Sequence, residues 1–285
     1  MKNKIHYIDI GARGNLTEPW ISHEKELSVY GFEADLNECL RLQKEYPKRE
    51  YFKCALSSKE GKRNLFLTKD HSQSSIYPPN KNNSQFERQH WETRQTILKT
   101  EVECSTIDNV LKGYSVDAIK IDTQGGEYDI LKGGMNTLFS KKPILFLETW
   151  CHPVYTDAPL MHEILQLTYS IGYELWATEP AASWHYKIDE GNNNVQGHHR
   201  RLIGLNLMLV QSLEQLKKLE PERIRAKIKV LRWYKFFDAA YLLAKHIGDK
   251  DLEIDIKKQV SQEESLLNRI IRRFKKNHLR PPPIT

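Results

Sequence analysis

Through its first two-thirds the chain alternates short runs of β-branched and aromatic residues with longer helix-like segments, and that alternation leaves few folds open. A strand, a helix and a second strand in succession form a βαβ unit, whose crossover covers one face of a mostly parallel sheet. The runs lie at residues 5–10, 28–32, 50–54, 118–121, 144–148, 173–177 and 202–210. Seven such strands predict an open α/β sheet, with ligands outside the carboxyl ends of the parallel strands. From Leu213 onward the strand pattern stops and helical periodicity takes over, punctuated by Gly248 and Asp249. The expected organisation is an α/β domain at residues 1–212 followed by a basic helical extension at 213–285.

Two polar, turn-rich segments, residues 68–95 and 179–201, interrupt the alternation and read as insertions at the loop end of the sheet. The four cysteines, Cys39, Cys54, Cys104 and Cys151, lack the paired spacing and matching histidines of a zinc site, and suggest neither metal nor disulfides. No apolar stretch approaches the roughly 18 residues that span a bilayer. The chain also begins with a strand carrying Asp9 rather than a leader, so a soluble, cytoplasmic protein is expected. The net charge of +6 is unevenly distributed: residues 1–212 carry 25 Lys and Arg against 27 Asp and Glu, whereas 213–285 carry 18 against 10. A core that bound nucleic acid would carry a basic excess of its own, so no nucleic-acid partner is expected.

The first strand runs into a turn, "IHYIDIGARGN" (residues 5–15), with Asp9, Gly11 and Gly14 in the pattern D-x-G-x-x-G. Glycines permit a sharp turn and a close backbone approach to a ligand, and a following helix N-terminus aims N–H groups at it. The second strand ends "VYGFEAD", placing Glu33 where a carboxylate accepts hydrogen bonds from both ribose hydroxyls. Together these point to an adenosine-containing cofactor. A dinucleotide fingerprint needs a glycine where this chain has Arg13, and Asp9 suits a cationic sulfonium better than a pyrophosphate.

A second stretch, "DAIKIDTQGGEYDILKGG" (residues 117–134), carries a buried strand to Asp122 and through Gln124, Gly125 and Gly126 into a helix near Glu127. With "FLETW" ending the next strand at Glu148, three carboxylates are expected at one cleft. In order, "DIGARGN", "GFEAD", "CALSS", "SQSSI", "STIDNVL", "KIDTQGGEYDILKGG" and "LFLET" resemble the FkbM-type S-adenosylmethionine-dependent methyltransferases over residues 5–210. The resemblance implies a class I methyltransferase (Rossmann-like) seven-stranded sheet whose last strand, 202–210, is antiparallel. It also implies S-adenosylmethionine as cofactor and O-methylation, often of a sugar hydroxyl in polysaccharide or glycolipid synthesis. Carried onto this chain, Asp9, Gly11, Ala12 and Gly14 would hold the methionine portion, with Arg13 in the same turn. Glu33, followed by Ala34, would take the ribose, and Ala55 and Leu56 would flank the adenine, with Asp122 beside the cofactor turn. Arg13 departs from the small polar residue common at its position.

Methyl transfer to a hydroxyl is an in-line displacement, so alignment dominates and a nearby base receives the proton. Asp122, Glu127, Glu148 and His152 are the candidates, with Glu148 orienting His152 as an attractive pair. Ser74 and Ser75 are candidates for closing over cofactor or acceptor. His185, between Trp184 and Tyr186, is a candidate sugar contact, and Arg200, in the cluster His198, His199, Arg200, Arg201, a candidate for an acidic group on the acceptor. In "SLLNRIIRRFKKNHLR" apolar residues share one helical face among basic ones, the pattern of a helix lying on an anionic membrane or packed on its own domain or a second subunit. The expected partners are thus a saccharide or glycolipid acceptor, the inner membrane surface, and a second copy of the chain. Two rival readings stay open: a nicotinamide-dependent oxidoreductase, and a non-catalytic protein acting through the basic tail.

Overall fold

The computed structural model describes residues 4–188 and 199–277, with the side chains at 88, 89 and beyond 265 excluded. Ten strands are present among them: β1 (Ile5–Ile10), β2 (Leu27–Glu33), β3 (Glu50–Lys53), β4 (Ala55–Leu56), β5 (Gly61–Thr68), β6 (Thr96–Ser105), β7 (Ala118–Ile121), β8 (Ile144–Trp150), β9 (Tyr173–Trp184) and β10 (Arg201–Gln211). Seven form one sheet in the order β3-β2-β1-β7-β8-β10-β9. The first five are parallel, and β10 runs antiparallel between β8 and β9. The chain starts at the centre, steps outward to β3 and then restarts at β7, so the ends of β1 and β7 flank a topological switch point where ligands settle.

Helices α1 (Leu36–Glu45), α2 (Arg88–Glu92), α3 (Ile107–Val110), α4 (Glu127–Lys132), α5 (Met135–Lys141) and α6 (Met161–Ser170) complete residues 1–212. The central strands are apolar on both faces, as parallel strands covered on both sides must be. Ile8, Ile10, Ile119, Ile121, Leu145 and Leu147 pack with Ile107, Ile130, Leu131, Leu138 and Ile164 from the helices. Elsewhere on these strands Tyr7 stacks on Trp20, centroids 4.2 Å apart, and Trp20 meets Phe146 edge-on at 5.3 Å.

Three features differ from expectation. Strand β9 continues to Trp184, into the segment read as an insertion, because β10 pairs with it from Tyr173 to Trp184 through three register shifts. A second sheet, β4-β6-β5, was not anticipated; β6 (TILKTEVECS) is largely exposed and polar, so it lacked the apolar run that marks a buried strand. The third is the extent to which segment 68–95, read as an insertion, is bonded into the domain: Asn80 N–H donates to Val154 O at 3.0 Å, Thr156 N–H to Pro78 O at 2.8 Å, and Phe86 is fully buried.

The chain divides into two compact units after Ser212. The second unit contains α7 (Leu213–Leu216), α8 (Pro221–Trp233), α9 (Phe237–His246) and α10 (Lys250–Asn277). Gly248, with φ +70°, separates α9 from α10, and Arg225 to Asp249 (3.1 Å) and Arg232 to Asp255 (2.8 Å) tie the helices of this unit together. The apolar and basic side chains from Leu266 to Lys276 lie outside the described residues, as does His198. Among the described residues no helix is long and apolar enough to cross a membrane.

Candidate active site

The turn after β1 brings two strand ends together. Gly11 has φ +78°, and a Cβ there would lie 1.9 Å from the carbonyl oxygen of Asp122, just past β7. Only glycine accommodates both the angle and the approach. Gly14 donates its N–H to Glu38 Oε1 at 3.1 Å, and Arg13 Nη2 donates to Asp35 Oδ2 at 2.7 Å while Nη1 lies 3.7 Å from Glu38 Oε2. Glu38 also receives Arg41, and these bonds, Arg41 first, hold its pKa down at about 2. Arg13 therefore clamps the turn to the first residues of α1.

Beside the turn is a cavity. Phe32, Ala55, Leu56, Leu65 and Leu67 supply an apolar wall, and Ser72, Ser74, Ser75 and Thr123 a polar one. Glu33, Ala34 and Asp35 line it from the end of β2, and Gly11, Arg13 and Asp122 from the sheet edge. Glu33 is 7% exposed; its Oε1 accepts the Asp35 N–H at 2.9 Å, and Oε2 has no protein partner among the described residues. Burial pushes its pKa up, against the Asp35 N–H and Arg13. Ser75 exchanges backbone hydrogen bonds with Phe66, and Ser74 Oγ accepts the Thr68 N–H at 3.2 Å, so both serines are held on the wall by β5.

Asp9 is buried and does not line this cavity. Its Oδ1 accepts from Lys120 Nζ at 3.4 Å, and the same Nζ lies 3.4 Å from Asp122 Oδ2. Burial raises the Asp9 pKa, with Lys120 opposing. Asp122 does line the cavity. Gln124, in the left-handed conformation at φ +60°, donates Nε2 to Asp122 Oδ1 at 3.1 Å and to Glu148 Oε2 at 3.2 Å. Burial works to raise Asp122, but Lys120, Glu148 and Gln124 overcome it and hold this carboxyl below its usual range. Burial and then the Asp122 charge push Glu148 well above its usual range. The two neighbouring carboxyls titrate as a pair, with burial and mutual repulsion pushing Glu148 up and Lys120 drawing Asp122 down.

The other two catalytic candidates are placed differently. Glu127 is 1% exposed and does not line the cavity; Oε1 accepts from Thr123 N–H and Oγ1 at 2.8 and 3.1 Å, and Oε2 from Gly125 N–H at 2.9 Å. It ties the 122–126 turn together, and burial pushes its pKa up to about 7. The expected pairing of Glu148 with His152 is not made: His152 Nε2 sits 3.0 Å from Asn83 Oδ1, and its ring meets Phe86 edge-on. The inserted segment supplies Asn83 as the His152 partner, and Glu148 is bonded to Gln124 instead. His185 and Arg200 are also away from the cavity; His185 O accepts the Glu87 N–H, and Arg200 Nη2 lies 3.9 Å from Glu87 Oε1.

The sequence profile described as Methyltransferase FkbM domain matches residues 9–175. The chain belongs to the FkbM methyltransferase family. Its seven-stranded sheet, with β10 antiparallel between β8 and β9, is a class I methyltransferase sheet. The methyltransferase FkbM of Methylobacillus flagellatus is similar in structure with a TM-score of 0.38 and 15% identity, over 72% of this chain and 43% of that one. The present chain thus spans less than half of that protein. A TehB-like SAM-dependent methyltransferase from Corynebacterium glutamicum gives a TM-score of 0.37 at 8% identity, over 74% and 82% of the respective chains. No curated protein matches the sequence.

Three side chains of this FkbM-family site were missed by sequence reasoning. Lys120 was visible as one cation inside an apolar strand, and its position between two acids was a readable signal. Gln124 carried none, because nothing local shows that a glutamine between Thr123 and Gly125 adopts a left-handed backbone and joins two carboxyls. Tyr155 is fully buried, with its hydroxyl 2.8 Å from Gln124 Oε1 and 2.8 Å from Gln73 O.

Proposed function

We propose that this FkbM-family chain transfers a methyl group from S-adenosylmethionine to a sugar hydroxyl in the synthesis of a surface polysaccharide or glycolipid. The observation carrying the reading is the pairing, within one cavity, of buried Glu33 and an apolar slot with the Asp122 carboxyl at the sheet edge. The donor set fits such a group. Glu33 would accept both ribose hydroxyls, and Phe32, Ala55 and Leu56 would flank the adenine. Glu33, Asp35 and Asp122 all line the cavity, whereas its Arg13 is already engaged by Asp35 and Glu38. An anionic surround of this kind favours a sulfonium and opposes a pyrophosphate, which argues against a nicotinamide dinucleotide.

S-adenosylmethionine would supply a methyl group already activated for displacement. The chain's task is then to orient the acceptor hydroxyl and receive its proton. Asp122 has the cavity position for that role and would take the proton onto its own carboxylate, while Gln124 holds it beside Glu148 and Lys120 holds it beside Asp9. Glu127 acts through the turn it holds, as a positioning residue. Calorimetric titration tests the reading: saturable binding of S-adenosylmethionine, without binding of NAD, is expected. Preference for the dinucleotide would overturn it.

The second unit supports a separate proposal, that its basic end contacts an anionic membrane surface from the cytoplasmic side. Residues 213–285 carry a net charge of +8, and the sequence of α10 from Leu266 interleaves apolar and basic residues without an acid. Removing residues 261–285 is expected to abolish co-sedimentation with phosphatidylserine vesicles. Equal sedimentation would refute it.

A further inference from the structure

Next to the methyl-transfer cavity lies a ring cluster that the proposed reaction leaves unused. Phe86, Trp150, Tyr155 and Trp184 pack together at the ends of β8 and β9, and Arg94 is inserted among them. Arg94 is 6% exposed, with its guanidinium carbon 5.0 Å from the centre of the Trp184 ring and 5.7 Å from that of Trp150. Its Nη1 donates to His90 O at 3.2 Å, but its Nε is buried with no partner. Trp150 Nε1, on a side chain 2% exposed, is a second buried donor with no partner.

Charge is unbalanced in the same place. Among the described residues no carboxylate pairs with Arg94; Glu87, at the head of the same segment, is engaged by His90 Nε2 at 3.0 Å and Arg200 at 3.9 Å. Aromatic faces offset part of the burial of a guanidinium. They do not satisfy an N–H, and a buried cation without an anion together with two unmatched donors is a costly arrangement. An oxyanion would supply the missing charge, because the edge of a guanidinium matches a carboxylate or phosphate.

The location is suited to the acceptor. The Tyr155 ring lies 6.1 Å from that of Trp150, and its hydroxyl reaches Gln124, which joins Asp122 to Glu148. One tyrosine and one glutamine therefore separate the unmatched donors from the carboxyl pair. We propose that Arg94 Nε and Trp150 Nε1 bind an acidic group on the acceptor, so that the substrate is an acidic sugar, a uronic acid or a sugar phosphate, rather than a neutral one. The inference rests on the methyl-transfer reading and narrows its substrate class.

The test is a tryptophan-fluorescence titration of the full chain with glucuronate, glucose 6-phosphate and glucose, with S-adenosylmethionine binding measured by calorimetry on the same samples. One acidic sugar is expected to bind at least tenfold more tightly than glucose, and which one distinguishes carboxylate from phosphate. Arg94→Met is expected to remove that preference while S-adenosylmethionine binding stays within twofold. Trp150→Phe keeps a ring in place and is expected to lower the preference at least threefold, which preserves the test if Arg94→Met does not fold. Equal binding of all three sugars, binding of none, or an unchanged preference in Trp150→Phe would overturn the proposal. Loss of S-adenosylmethionine binding in the wild type, with the acid preference intact, would instead overturn the cofactor reading and leave the Arg94 site standing.

Discussion

Replacing Glu33 by alanine is expected to weaken S-adenosylmethionine binding by about 30- to 700-fold. The carboxylate ends β2 on the cavity wall, with one oxygen shared with the Asp35 N–H at 2.9 Å and the other without a protein partner among the described residues. Two ribose hydroxyls would donate to it, and a hydrogen bond to a charged group contributes about 1.5–3 kcal/mol. Sharing with Asp35 discounts the first, giving about 2–4 kcal/mol in all, and every 1.4 kcal/mol is about tenfold in affinity. The glycine turn should survive, since Arg13 keeps Asp35 and Glu38. Calorimetry on wild type, Glu33→Ala and Glu33→Gln reads the effect, with thermal midpoints alongside. Acid sharpens the test: burial raises the Glu33 pKa, so wild-type affinity falls as pH drops through that raised value, whereas Glu33→Gln shows no such fall from this position. A dissociation constant within threefold of wild type in Glu33→Ala, at an unchanged midpoint, would refute the reasoning.

Asp122→Asn should slow methyl transfer by about 100-fold or more while changing cofactor affinity far less, as single-turnover assays with bound cofactor would read; equal losses in both would make Asp122 a binding residue only. Gly11→Ala should cost at least about 2 kcal/mol in urea unfolding, because its Cβ meets the Asp122 carbonyl and its backbone is left-handed; a midpoint equal to wild type contradicts that geometry. Glu127 has a folded pKa of about 7, above the ordinary value of 4.5. Its contribution is therefore fully present below the unfolded pKa and lost as pH rises toward about 7, so Glu127→Gln should compare better with wild type at pH 8 than at pH 5. Parallel stability profiles would count against this assignment.

The sheet was legible because its strands are apolar on both faces and interrupted by turn residues at regular intervals. Two strands, Ile5–Ile10 and Ala118–Ile121, match their expected bounds, and Gly11, Arg13 and Glu33 line one cavity, whereas Asp9, Ala12 and Gly14 of the same turn do not. Amphipathic, solvent-facing β5 and β6 were not legible, because their charges mask the alternation. At the site, sequence spacing brought Asp122 and Glu148 together but also proposed a Glu148–His152 pair. It failed there because Asn83, far away in sequence, reaches His152 first. Glu127 illustrates the same limit: its helix position was readable, but three donors from its own turn consume its oxygens. Local pattern reports which residues stand at the sheet edge, and long-range partners decide which remain available for chemistry.

The Arg13 clamp has a consequence for the cavity walls. With Arg13 held by Asp35 and Glu38, and Gly14 by Glu38, the glycine turn is a fixed jamb rather than a door. The opposite wall begins at the short helical turn His71–Gln73, where His71 and Ser72 are exposed and His71 Nδ1 approaches Asp35 only to 3.6 Å. The cavity therefore has one wall pinned by ion pairs and another that carries exposed side chains on a single helical turn.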